Sequence, residues 1–246
     1  QGVVVVADRS GTLCAWATVA EERAEADVHP VARGRGLGVS LLAWTEARAR
    51  QAGEHRVRQT VTDGDPAAQA LFAAHGYQRT HTSWILEMPL PDTRPAVHLP
   101  PGISIRPFQR GEERAAYQVL EEAFQEWPGR EPFPFERWQA HVFDHPAFSP
   151  ALSQLAFDGA ELVGAALASD YPGSPEGWVS QLATRSTHRH RGIARALLQA
   201  SFAAFHDRGR RFVALSTDSR TGALTLYERL GMRIRRSYTG WATDLD

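Results

Sequence analysis

Arg33-Gly34-Arg35-Gly36-Leu37-Gly38 and Arg189-His190-Arg191-Gly192-Ile193-Ala194 both fit one pattern, Arg-x-x-Gly-x-(Gly/Ala). Each follows a strand-like run and opens a helical one. Successive backbone N–H groups at such a turn form a concave nest, and the helix N-terminus behind it adds partial positive charge. That combination suits a pyrophosphate. A single match carries little weight in a chain rich in Arg, Gly and Ala. The repetition of everything around the two turns carries more.

Working outward, the elements recur in the same order. Strand-like runs at 3–7 and 13–19 are joined by a turn at 8–11, and runs at 152–157 and 161–169 repeat that hairpin around Asp158-Gly159. Third strands at 24–31 and 178–184 lead into the two turns. Ile193, Leu197, Ala200 and Ala204 form one helical stripe, and Leu37, Leu41 and Trp44 begin its counterpart. Gly53 and Gly209 suit left-handed helix ends. Strands at 56–62 and 212–217 follow, then short helices ending in His75-Gly76-Tyr77 and Leu230-Gly231-Met232. From Gly36 to Gly76 is 40 residues, and from Gly192 to Gly231 is 39. The register therefore predicts a duplicated α/β unit.

The halves differ in two places. Half two carries an extra loop, 171–177, at strand ends where ligands usually sit. It also opens with a strand at 103–106 and two helices, over 112–127 and 134–145, that half one lacks. Half one is thus short of a complete copy by roughly 50 residues, which leaves apolar sheet surface exposed. Pro89, Pro91, Pro95, Pro100 and Pro101 mark an extended linker. The expected organisation is a first domain over 1–90, incomplete at its N-terminus, a linker over 91–101 and a second domain over 102–246.

Composition narrows the function classes. Hydrophobic residues make up 43% of 246, enough for a real core, and the net charge of −1 gives no global field favouring nucleic acid or membrane. All basic residues other than histidine are arginine, a bias of genome composition more than of function. Cys14 is the only cysteine, so no intrachain disulfide forms and a cytoplasmic setting fits. No run of 18 apolar residues suggests a membrane span. The first residue is Gln, and the natural N-terminus is expected to be missing. The histidines are scattered without metal-ligand spacing, so no metal is expected.

"VHPVARGRGLG" at 28–38 and "THRHRGIARALL" at 187–198 resemble the acetyl-CoA motif of the GCN5-related N-acetyltransferase (GNAT) family. "LTLYERLGM" at 224–232 is similar to that family's last core motif. The chain as a whole resembles the tandem two-domain acetyltransferases that include mycothiol synthase. The resemblance implies an α/β fold of two tandem domains, each a mixed, mostly antiparallel sheet flanked by helices. It implies acetyl-CoA as cofactor, a small-molecule primary amine as acceptor and a monomer or homodimer, with no nucleic-acid or membrane partner.

On that resemblance, the CoA site comprises Leu182, Ala183 and Thr184 with Arg189, His190, Arg191, Gly192, Ile193 and Ala194. Arg33, Gly34, Arg35, Gly36, Leu37 and Gly38 form a second cradle. Gly192 lets phosphate approach the backbone, and the two arginines add charge-assisted bonds. Tyr227 matches the family's tyrosine, and a phenol can protonate the departing thiolate without being ionised at neutral pH. Phe72 occupies that place in half one and cannot donate a proton. Family members often carry a base on the strand before the turn. Ser180 and Gln181 stand there instead, so Asp170, Glu176, His188, Asp218 or a relayed water remain open as alternatives. Trp127, Trp138, Tyr171, Trp178 and Tyr238 are the candidate acceptor-binding residues, and Glu121, Glu122 and Glu126 could attract a cationic amine. The alternative function is a non-catalytic GNAT-like protein that senses or sequesters an acyl-CoA or another ligand.

Overall fold

The computed structural model describes residues 2–127 and 130–245. In chain order the elements are β1 (Gly2–Ala7), β2 (Leu13–Ala20), β3 (Arg23–Val28), α1 (Leu37–Gln51), β4 (Arg56–Thr62), α2 (Pro66–Ala74), β5 (Gln78–Pro89) and β6 (Ile103–Pro107). There follow α3 (Glu113–Phe124), α4 (Phe135–Trp138), β7 (Gln154–Asp158), β8 (Glu161–Asp170), β9 (Glu176–Thr184), α5 (Ile193–Asp207), β10 (Phe212–Asp218), α6 (Leu224–Arg229) and β11 (Arg233–Asp244). The helix expected over 134–145 is one α-turn, α4, continued by a π-helical turn at Gln139–Phe143.

The chain divides into two compact units, Gln1–Trp84 with Arg236–Asp246, and Ile85–Arg235. This differs from the expected division at 90 and 102. The last strand, read as part of the second domain, pairs antiparallel with β4 in the first unit, from Tyr238↔Thr62 to Asp244↔Arg56. Its Trp241 is 3% exposed there, stacked 6.0 Å from Phe72. Sequence pattern assigns a strand but not its partner, because pairing is decided by which sheet can bury its apolar face. The segment expected as a free linker is extended but docked. Within the second unit Arg94 bonds Asp207, the Asp92 carbonyl meets His206, and the His98 N–H donates to Gln199, all along α5.

Each unit holds a mixed sheet. In the first, β1, β2 and β3 run antiparallel, and β3 pairs in parallel with β4. In the second, β6 through β9 are antiparallel and β9 pairs in parallel with β10. Helix α5 covers one face of the second sheet, where Ile193 and Leu197 pack on Ala156, Val163 and Ala166. Helix α3 covers the other, placing Ala116 and Leu120 against Leu155, Ala165 and Leu167. In the first unit α1 covers one face through Leu41 on Ala15 and Ala17. The opposite face leaves Val3 and Val5 exposed, at 65% and 63%.

Candidate active site

The second arginine–glycine turn sits between β9 and α5, and its conformation explains its residues. Gly192 has φ +81° and His190 has φ +62°, two left-handed residues separated by one. The first turn repeats this with Gly36 at +81° and Gly34 at +73°. Alternation of this kind aims consecutive N–H groups into one concavity. Sequence reading found the glycine at 192 and 36 but missed the requirement at 190. The signal was present in Gly34, the repeat's own residue at that place. A non-glycine residue in this region carries about 1–2 kcal/mol of strain. Ile193 is buried behind the turn, and Ala194 begins the helix half-buried.

Beside the turn the sheet opens. The β9–β10 ladder runs only from Glu176↔Phe212 to Val179↔Leu215. On its other edge β9 stays paired with β8, but the register shifts between Leu167 and Ala168, so Ser180 is an extra residue. Ser180 Oγ bonds the Leu167 carbonyl and fixes the bulge. A bulge bends its strand, and here it falls where β9 leaves β10. Gln181 to Thr184 thus keep one ladder edge to β8 and present the other to an open slot, including the backbone of Leu182, Ala183 and Thr184.

Tyr227 follows β10 in the chain, on α6. It is 6% exposed, and the Thr217 hydroxyl beside it, on the part of β10 beyond the ladder, bonds Thr221. Burial pushes its phenol up to about 12, against a smaller opposing effect of Thr217. The side chain is therefore a neutral proton donor across the physiological range.

In the first unit the corresponding ladder is also short, and Phe72 stands at the place Tyr227 holds in the second. The β3–β4 ladder is limited to Arg23↔Arg58. A cavity of about 390 Å³ lies beyond, lined among others by Val28, Arg33, Gly34, Gly36, Leu37 and Phe72. Phe72 packs edge-on to Tyr77 at 4.8 Å.

The base candidates are committed elsewhere. Asp170, 13% exposed, lies between Arg208 and Arg210. Glu176 pairs with Arg235, and Asp218 with Arg220. His188 Nδ1 meets Thr187 Oγ1 at 2.8 Å, and its Nε2 lies 3.6 Å from Asp158. The three glutamates read as a draw for a cationic amine are likewise paired. Glu121 accepts from the Phe133 N–H, Gln125 and Arg130. Glu122 pairs with Arg185, and Glu126 with Arg189. Burial raises the Glu121 carboxyl, but the bonds from Phe133, Arg130 and Gln125 outweigh it and hold the group below the ordinary glutamate range.

The acceptor candidates separate. Trp138 is 2% exposed within the α3 core, edge-on to Tyr117 and Phe143. It is a core residue, corrected from the pocket expectation because a short amphipathic helix buries its aromatic face. Tyr238 is also corrected: it belongs to the first unit, opposite Thr62. Trp127 is half-buried, packed on Phe124 at 4.7 Å. Trp178 is half-buried on β9, and Tyr171 is 47% exposed on the turn before it. Among the described residues, no group of three or more His, Cys, Asp or Glu is placed to hold a metal, and no helix is long and apolar enough to cross a membrane.

A duplicated sheet with a slot and a glycine nest in each copy defines a class, and comparison with known proteins gives the same one. The acetyltransferase (GNAT) family pattern matches residues 2–77 and 114–232. The mycothiol acetyltransferase of Thermobispora bispora is 32% identical over 225 residues, spanning 89% of this chain and 72% of that protein. That of Salinispora arenicola is 35% identical, over 84% and 68%. A GCN5-related N-acetyltransferase from Sphaerobacter thermophilus superimposes with a TM-score of 0.87 at 33% identity, covering 99% of this chain and 80% of that one. The chain belongs to the GNAT acetyltransferase family. It is an N-acetyltransferase with two tandem domains, and enzymes of its family use an acyl-CoA as co-substrate.

Proposed function

We propose that the protein transfers an acetyl group from acetyl-CoA to the primary amine of a small molecule, and that the second unit performs the transfer. The single observation that carries this reading is the coincidence, in that unit, of nest, slot and buried Tyr227. The pyrophosphate lies on the backbone of 189–194, with Arg189 and Arg191 adding charge-assisted bonds. The free edge of β9 receives the pantetheine arm, and a backbone N–H near Leu182 polarises the thioester carbonyl. The neutral amine attacks that carbonyl, the C–S bond breaks, and Tyr227 gives its proton to the leaving sulfur. The amine's surplus proton passes to water, since the candidate carboxylates are held by arginines. Trp127, Trp178 and Tyr171 are the aromatic side chains left for the acceptor.

The first unit binds a CoA through Arg33–Gly38 and its cavity but does not transfer, because Phe72 has no proton to give. The relatives' names make the acceptor of mycothiol acetyltransferases the first compound to try. Free-thiol release from acetyl-CoA, followed against a panel of small amines that includes it, tests the reading. Amine-dependent release supports it. Tight acetyl-CoA binding with no release against any amine supports instead a protein that only binds acyl-CoA.

A further inference from the structure

Both arginines of the second turn already hold carboxylates. Arg189 Nη1 lies 2.6 Å from Glu126 and Arg191 Nη1 lies 2.8 Å from Asp158. The first turn differs: Arg33 bonds the Val28 carbonyl, and its carboxylate, Asp65, is 3.6 Å away. Glu126 stands just past the end of α3, four residues beyond Glu122, and the two reach the β9–α5 connection as successive rungs, Glu122 to Arg185 and Glu126 to Arg189. The rungs are not equivalent. Arg185 has other anchors, its Nε donating to the Leu162 carbonyl with Glu161 at 3.8 Å. It also lies ahead of the nest. Arg189 begins the nest, and its side chain is 38% exposed, opposite a Glu126 side chain that is 44% exposed.

Carboxylate and phosphate take a guanidinium's N–H donors in the same geometry, and Glu126 takes those of Arg189 Nη1. We propose that Glu126 is an internal competitor of the cofactor: it occupies Arg189 in the empty site and is displaced when a pyrophosphate binds. This rests on the reading of the second turn as the CoA cradle. Glu126 thereby sets the affinity of that cradle.

Coenzyme A itself is the probe, titrated calorimetrically into the full chain carrying Arg33→Gln and Arg35→Gln, so that the second turn alone is read. Glu126→Gln removes the competing charge from an exposed pair, and CoA binding tightens about two- to fivefold. Arg189→Gln weakens it about tenfold or more. In the Arg189→Gln background, Glu126→Gln changes the Kd by less than about 1.5-fold, because the contested partner is gone. Glu122→Gln, which breaks the neighbouring rung, leaves the Kd within about the same margin. An unchanged or weaker Kd for Glu126→Gln overturns the inference. So does equal tightening in the Arg189→Gln background, or from Glu122→Gln, since a general field rather than partner exchange then acts. If no CoA binds at all, the cradle reading falls and this inference falls with it.

Discussion

At residue scale, Tyr227 shows how burial sets a protonation state. In water a phenol is a weak acid near pH 10, and enclosure under α6 raises it to about 12. The folded protein therefore favours the protonated form. The stability gained from this is fully present below pH about 10 and is lost as pH rises through about 12. The same shift places the acid's ionisation far from working pH. We expect the kcat profile to be free of any fall due to Tyr227 between pH 7 and about 10. A profile falling with a midpoint near 9 that disappears in Tyr227→Phe contradicts that placement. Sequence singled this residue out through Leu224-Thr-Leu-Tyr-Glu-Arg-Leu-Gly-Met232 and the contrast with Phe72, and its role as general acid is the proposal tested below. The burial of its ring was not legible, because it depends on how α6 packs in the fold.

At element scale, β9 and α5 approach closely where β9 is paired with β10. Gly177 lies at the paired end of β9, and a Cβ there would stand 2.2 Å from the buried Phe205 ring. Gly177→Ala should therefore cost about 1–3 kcal/mol of stability, read as a lower Tm; an unchanged Tm shows that the ring can move aside. Helix α3 and its exit depend on Glu121 in the same way. Its carboxylate is 7% exposed and accepts three bonds, so Glu121→Ala should cost about 2–3 kcal/mol. Because this carboxyl titrates below its ordinary range, its contribution is present above about pH 4.5 and fades as pH falls through the lowered value. The Tm should consequently fall less from pH 5 to pH 3 in Glu121→Gln than in the parent. Apolar periodicity identified α3 correctly, from Ala116, Val119 and Leu120. The same periodicity could not say that Glu121, on the rim of that stripe, would be covered, since burial there comes from the return of the chain at Phe133.

At the scale of the whole molecule, the duplication was the most legible feature, because glycines with positive φ recur at fixed spacing and tolerate few substitutes. The destination of β11 was the least legible. A strand such as Arg233–Asp244 declares that it will pair, and only the tertiary fold chooses β4. The two cradles lead to a stoichiometry. Equilibrium dialysis should find two CoA per chain, falling to one when Arg33 and Arg35 are both replaced by Gln. A single equivalent in the parent chain removes the binding role of the first unit. The account as a whole rests on Tyr227 as the proton donor of one working site. The most direct test is thiol release from acetyl-CoA by Tyr227→Phe at saturating acceptor, with CoA affinity measured in parallel. The account predicts kcat lower by about a hundredfold or more with the CoA Kd changed less than about twofold. A kcat equal to that of the parent enzyme contradicts it.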